Sequence, residues 1–197
     1  NSKNIVSQIR SMGASCDWSR EKFTLDKDIV EVVRQTFKKL EEDKLLYRGN
    51  RIVNWCPKHR TSFSDLEITD VERVDPFYYL KYGPFTIATA RPETKFGDKY
   101  VVMHPDDARY ASYNDGDTFE LEWINGPITA TVIKDEAIDM SLGTGVMTIT
   151  PAHSGVDFEI SKRHGLDVEQ VIDERGILLP IAGEFAGMHI KKARPLI

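Results

Sequence analysis

Gly143-Thr144-Gly145-Val146-Met147-Thr148-Ile149-Thr150-Pro151-Ala152-His153-Ser154-Gly155-Val156-Asp157-Phe158-Glu159 decides how this chain is read. Val146 to Thr150 alternates apolar and polar residues, the period of a half-buried strand. Pro151 and the small residues after it break that strand, and a helix is expected from Ser154 to about residue 164. A strand that turns into a helix N-terminus gathers free backbone N–H groups and short polar side chains at one place. Thr148, Thr150, His153, Ser154 and Asp157 all fall at this junction. Ser154-x-x-Asp157 has capping-box spacing, which gives Asp157 a structural task. Its carboxylate can equally hold a ligand ammonium group, and both readings stay open. His153 has the chemistry of a general base, although a histidine beside a turn is more often a hydrogen-bonded structural residue.

A second stretch, Thr86-Ile87-Ala88-Thr89-Ala90-Arg91-Pro92-Glu93-Thr94-Lys95-Phe96-Gly97-Asp98, also leaves a strand for a polar turn. Pro92 keeps Arg91 extended. Arg91 with Thr89 and Thr94 suits an anionic or hydroxyl-bearing ligand. Alternatively Arg91 pairs with Glu93 or Asp98 while the threonines cap the turn.

The remaining patterns frame these two stretches. Residues 4–12 read as a short helix ended by Gly13. Asp26 caps a long helix in which Ile29, Val33, Phe37 and Leu40 form a core-facing stripe, fading before Gly49. Helical periodicity stops near residues 48–55. Short strands follow: Arg51 to Trp55, Phe77 to Tyr82, Phe85 to Thr89 and Tyr100 to Met103. Residues 119–133 read as a hairpin with a type I′-like turn at Asn125-Gly126. Val171-Ile172 and Ile177-Leu178 close the pattern. The expected fold class is α+β: a helical lead-in over residues 1–50, then a β-rich domain over 51–197 whose strands form a barrel-like, closed or nearly closed sheet with short helices.

The totals narrow the function. The net charge of −5 does not suit a domain that grips nucleic acid unaided, so a larger body would have to present one. The chain starts abruptly and ends on Pro195-Leu196-Ile197, which predicts a piece of a longer protein. There is no membrane-length apolar run and no secretory signal. The two cysteines, Cys16 and Cys56, point to a reducing compartment and a cytoplasmic location. Cys56-Pro57-Lys58-His59 is half of a zinc site, but no second pair lies at a suitable spacing. No metal ligand set is therefore assigned. Neither a phosphate loop nor a dinucleotide glycine fingerprint is present.

Taken together and in this order, Thr89-Ala90-Arg91-Pro92-Glu93-Thr94, His104-Pro105-Asp106-Asp107-x-Arg109-Tyr110 and Gly143-Thr144-Gly145…Thr150-Pro151-Ala152-His153-x-x-x-Asp157 resemble the editing insertion of valyl-tRNA synthetases. Residues 12–20 and Val53-Asn54-Trp55-Cys56-Pro57 resemble the same family's lead-in. The leucyl relatives typically have Asp where Glu93 stands, and the isoleucyl relatives carry a different, Trp-containing stretch at 91–94. The resemblance implies hydrolysis of the threonyl ester on mischarged tRNA(Val) at a pocket that accepts a hydroxyl and refuses a methyl. The resemblance also implies that valine and threonine, being isosteric, are separated only about a hundredfold at the synthetic site. It further implies that Asp157 anchors the α-ammonium, that Arg91 and Thr94 line the facing loop, and that Thr89, Thr148, Thr150, His153 and Ser154 complete the substrate-binding wall. No catalytic side chain is implied; a positioned water attacks, assisted by the terminal ribose hydroxyl. The implied partners are the tRNA(Val) 3′ end and the remainder of a synthetase, not a membrane. No cofactor is implied for this stretch, since ATP and magnesium belong to a catalytic domain whose His-Ile-Gly-His and Lys-Met-Ser-Lys-Ser signatures are missing here. The chain departs from the family at two positions: many members have Lys at Thr148 and Asp at Ser154. A rival reading is a non-catalytic insertion that only guides the tRNA end.

Overall fold

The computed structural model describes residues 2–72 and 74–197, and the chain divides after Asn50 into two compact units. The first unit holds helices α1 (Ser2–Ser11) and α2 (Lys27–Glu42). Gly13 follows α1 at φ +74°, the left-handed geometry that ends helices. Asp26 is the N-cap residue of α2, but its carboxylate accepts from Phe23 N at 3.0 Å rather than from a helix N–H. The stripe on α2 is not a core: no residue of α2 is buried, and Val33 and Phe37 are 60% and 61% exposed. Two helices and a short 3-10 turn enclose too little volume to cover an apolar face.

The second unit carries the strands. β1 (Asn54–Cys56) and β2 (Thr61–Phe63) form one antiparallel hairpin, and β3 (Tyr78–Tyr82) and β4 (Phe85–Thr89) another. The largest sheet contains β5 (Tyr100–Met103), β6 (Thr118–Trp123), β7 (Gly126–Lys134) and β8 (Val146–Thr148) in the order β6-β7-β5-β8. β5 runs parallel to β7 and antiparallel to β8. Helix α3 (Gly155–His164) follows β8, and α4 (Ile190–Ala193) lies near the C-terminus.

β5 explains itself chemically. Val101 and Met103 pack with Tyr82, Phe85, Ile87, Leu121 and Trp123 on one face. Val102 packs with Ile133, Ile149 and Ile160 on the other. A strand covered on both faces reads as an unbroken apolar run, here Val-Val-Met. The α3 face is also tied electrostatically. Asp135, just past β7, receives Arg163 Nε and Nη2 at 3.0 and 2.7 Å and lies 2.9 Å from His164 Nε2. Burial alone pushes this carboxyl up, but Arg163, the Ala137 N–H and His164 outweigh it and hold it at about 2.

Two expectations are corrected. The strands are mixed with helices as expected, but among the described residues they form three small sheets and no closed barrel. β6 and β8 are the edges of the four-stranded sheet. The β3–β4 hairpin meets it through side chains such as Tyr82 and Phe85, without a hydrogen-bonded ladder. The turn between β6 and β7 is also not type I′. Trp123 pairs with Gly126, so Ile124-Asn125 is the loop, and only Gly126 takes a positive φ (+108°) there. Type I′ needs positive φ at both central residues.

Candidate functional site

The two sequence stretches meet. One cavity of about 400 Å³ is lined by Thr89, Arg91 and Thr94 from the first stretch and by Thr148, Thr150, His153, Ser154 and Asp157 from the second. Every site residue expected from the sequence therefore borders one space. Lys95, Phe77, Leu142 and Gly143-Thr144-Gly145 are among the other residues of the wall.

The first loop is a 3-10 turn over Pro92–Gly97, with Pro92 at its start and Arg91 extended before it. Thr89 Oγ1 accepts from Arg91 N at 3.0 Å, and Thr94 Oγ1 donates to the Arg91 carbonyl at 2.9 Å. The threonines thus cap the turn, as the structural reading had it. Arg91 itself is half-exposed. It sits 3.7 Å from Glu93 and donates through Nη1 to the His153 carbonyl at 2.8 Å. The guanidinium is fixed at the rim but keeps donors for a ligand.

The second loop is set by Asp157. Ser154 Oγ accepts from Asp157 N at 3.3 Å, which is the forward half of the predicted cap. The reverse half is missing. Asp157 Oδ2 instead accepts from Thr150 N at 2.8 Å, folding the strand end back onto the helix start. Asp157 is 5% exposed and lines the cavity, and Oδ1 has no partner among the described residues. The two readings of this residue are compatible: one oxygen holds the backbone and the other is free for a cation.

His153 does not have the geometry of a base. Its Nε2 accepts from Val171 N at 2.9 Å and Ile172 N at 3.3 Å. Burial, with the neighbouring Arg91 charge, lowers its pKa to about 4. The neutral ring therefore pins the 171–172 segment. The sign of the pH effect follows. Above about 6.5 both the folded and unfolded states hold neutral imidazole. As pH falls towards 4 only the unfolded state gains the proton, so stability is lost over that window, by up to about 3 kcal/mol. Urea unfolding of wild type and His153→Gln at pH 7 and pH 4.5 checks this. The wild type should lose about 2–3 kcal/mol more than the variant; parallel losses would remove His153 as the cause.

Lys95 was not expected. Its aliphatic stem and ammonium are buried, with Nζ 3.0 Å from Asp98 Oδ2, 3.1 Å from the Thr148 carbonyl and 3.3 Å from Thr150 Oγ1. So a cation does reach the strand end at Thr148, but from the facing loop. Burial pushes the Asp98 carboxyl up, with the Lys95 charge opposing. Thr150 Oγ1 donates to Asp98 Oδ1 at 2.8 Å, which engages that hydroxyl inside the wall. A lysine and an acid three apart on a turn of small and apolar residues were the available signal.

The His104 to Tyr110 motif serves as a clamp beneath the glycine loop. Asp107 is buried and caps Arg109 N at 3.0 Å. Arg109 binds the same carboxylate through Nε and Nη2 and donates to the Met140 carbonyl at 2.7 Å. Tyr110 Oη donates to the Thr144 carbonyl at 2.9 Å. Gly145, at φ +73°, lets the Arg109 guanidinium lie directly on bare backbone, where a Cβ would overlap it. Gly145→Ala is therefore expected to cost about 2–4 kcal/mol through clash and backbone strain. A urea midpoint equal to wild type would contradict this.

Cys56 Sγ and His59 Nδ1 approach to 3.5 Å in the β1–β2 turn, and the thiol is half-buried. Among the described residues no group of three or more His, Cys, Asp or Glu side chains converges as a metal site. None of the described helices is long and apolar enough to cross a membrane.

Comparisons with known proteins span both units. Residues 1–85 match the class I tRNA synthetases (I, L, M and V). The chain is 43% identical to a valine-tRNA ligase of Carboxydothermus hydrogenoformans over 98% of its length. It is 40% identical to one of Geobacter sulfurreducens over 96%, and 41% identical to one of Aquifex aeolicus over its full length. It spans about a fifth of the length of these relatives, 22% of the first two and 19% of the third.

Proposed function

Because the chain belongs to the valine-tRNA ligase family, we propose that its second unit is an editing site that hydrolyses the ester of Thr-tRNA(Val). The observation that carries this is the convergence of both strand-end loops on one cavity that presents a carboxylate, a guanidinium and hydroxyls. In this reading Asp157 Oδ1 takes the α-ammonium of the ester. Arg91, held by the His153 carbonyl at the rim, meets the anionic tRNA end. Ser154 Oγ, which lines the cavity and accepts from Asp157 N, keeps its own proton to donate to the threonyl hydroxyl. A valyl ester would bring a methyl to the same place and leave that group unpaired, which costs about 1–3 kcal/mol.

No side chain here is poised as a nucleophile or base, so the chemistry falls to a water held against the ester. The protein contributes orientation and hydrogen-bond donors to the developing oxyanion. The tRNA(Val) 3′ end is the macromolecular partner, presented by the rest of a synthetase, in keeping with the acidic charge of −5. A second cavity shares Arg91 and His153 with the first and adds Arg51, Asn54, Trp55 and Gln170, a surface with room for terminal nucleotides.

The test is clearance of Thr-tRNA(Val) by the full-length ligase that contains this chain. Rapid deacylation of Thr-tRNA(Val), with Val-tRNA(Val) spared, supports the proposal. Accumulation of Thr-tRNA(Val) refutes it and leaves the non-catalytic guiding role. Preference for mischarged tRNA(Leu) or tRNA(Ile) assigns the site to a leucyl or isoleucyl specificity instead.

A further inference from the structure

Arg91 and His153 border both cavities of the second unit, so the two adjoin at these side chains. The second cavity, of about 570 Å³, has room for a nucleotide and is lined by Trp55 of β1. Trp55 is 39% exposed, although indoles are highly buried on average. Its one polar atom is already satisfied, since Nε1 donates to the Glu174 carbonyl at 2.8 Å. The ring is thus fixed in place while part of its carbon surface stays in water. The neighbouring wall is fixed as well. His153 Nε2 accepts from the N–H groups of Val171 and Ile172, and Gln170 Nε2 donates to the Ile172 carbonyl at 2.8 Å. An aromatic platform held this way costs little further ordering when a ligand arrives.

The charges at this cavity suit an anion. Arg51 and Arg91 are exposed at its edge. Of the two acids that also line it, Asp173 is turned onto its own loop, where it accepts from the N–H groups of Arg175 and Ile177 and from Arg175 Nε. Glu174 alone stands exposed against the two guanidiniums. Backbone-tracking cations beside a stacking ring are the means by which proteins hold single-stranded nucleic acid. With the ester in the first cavity, Arg91 meets the phosphate that joins the last two nucleotides of the tRNA. The nucleotide beyond that phosphate then falls at the second cavity. We propose that this cavity is a subsite for the nucleotide preceding the terminal adenosine, with its base stacked on Trp55 and its 5′ phosphate met by Arg51. The proposal rests on the first cavity being the threonyl-ester site.

The test uses the full-length ligase and two non-hydrolysable inhibitors of Thr-tRNA(Val) clearance. Both carry threonine in amide linkage at the 3′ carbon of adenosine. One is the nucleoside alone, and the other is extended by a 5′-phosphorylated cytidylate. In the wild type the extended inhibitor is expected to bind about tenfold more tightly, the effect of one stacked base. Trp55→Ala is expected to abolish that advantage and to leave inhibition by the nucleoside within about twofold of wild type. A purely structural role for Trp55 would weaken both inhibitors alike. Arg51→Gln, at an exposed position, should weaken the extended inhibitor alone, by about threefold at low salt and less as salt rises. It decides the matter if thermal melting shows that Trp55→Ala does not fold. An extended inhibitor no tighter than the nucleoside in the wild type, or equal losses for both in the variants, overturns the proposal and leaves the editing assignment standing. A wild type that does not clear Thr-tRNA(Val) overturns both.

Discussion

Asp157→Ala in the full-length ligase is expected to slow clearance of Thr-tRNA(Val) by about 100-fold or more. Two losses combine. The free oxygen no longer anchors the α-ammonium, a charge-assisted contact in a nearly buried setting. The other oxygen no longer accepts from Thr150 N, so the strand end is released from the helix start. Asp157→Asn separates these effects. The amide oxygen still accepts from Thr150 N, while the negative charge is gone. It should melt close to wild type yet remain at least about tenfold slower. Equal clearance by wild type and Asp157→Ala would reduce Asp157 to a structural residue and remove its assigned role.

The largest effect on stability is expected at Glu93. Its carboxylate is 0% exposed and takes two hydrogen bonds from Arg194, Nε at 2.9 Å and Nη2 at 2.6 Å. Glu93→Ala leaves the partly buried Arg194 guanidinium without its two-point partner. Breaking one side of such a pair typically costs about 3–5 kcal/mol. Replacing both partners, as Glu93→Ala/Arg194→Met, should recover most of the loss, because the penalty is the orphaned charge and not the missing attraction. Urea unfolding measures both. A loss below about 1 kcal/mol for Glu93→Ala would show the pair to be solvated in solution.

The local elements of the second unit were legible because each rests on local chemistry. Val146 to Thr148 alternates, Pro151 stops it, and Ser154 starts a helix that Gly165 ends at φ +63°. The residues of the cavity were legible too, because their polar side chains cluster at two strand-to-turn junctions. What was not legible is long-range. Nothing in the Val-Val-Met run says that β5 pairs in parallel with β7 across the intervening β6. Strand count alone implied closure, whereas β6 and β8 remain edges. The stripe of Val33 and Phe37 carries the right period for a buried helix face, but period describes a face and not what covers it. Lys95 is hard to read because a lysine on a turn is ordinarily solvated; only the Thr148 carbonyl and Thr150, brought in by the fold, make it an interior residue.

The Glu93–Arg194 pair also bears on synthesis. Its partners are 101 residues apart in the chain. At translation speeds of about 5–20 residues per second, Glu93 waits roughly 5–20 s for Arg194 to be made. During that interval the turn carrying Arg91, Thr94 and Lys95 exists without its anchor. The cavity wall is thus completed in two stages, with the second-stretch strand and helix already synthesised before the last charge arrives to lock the first.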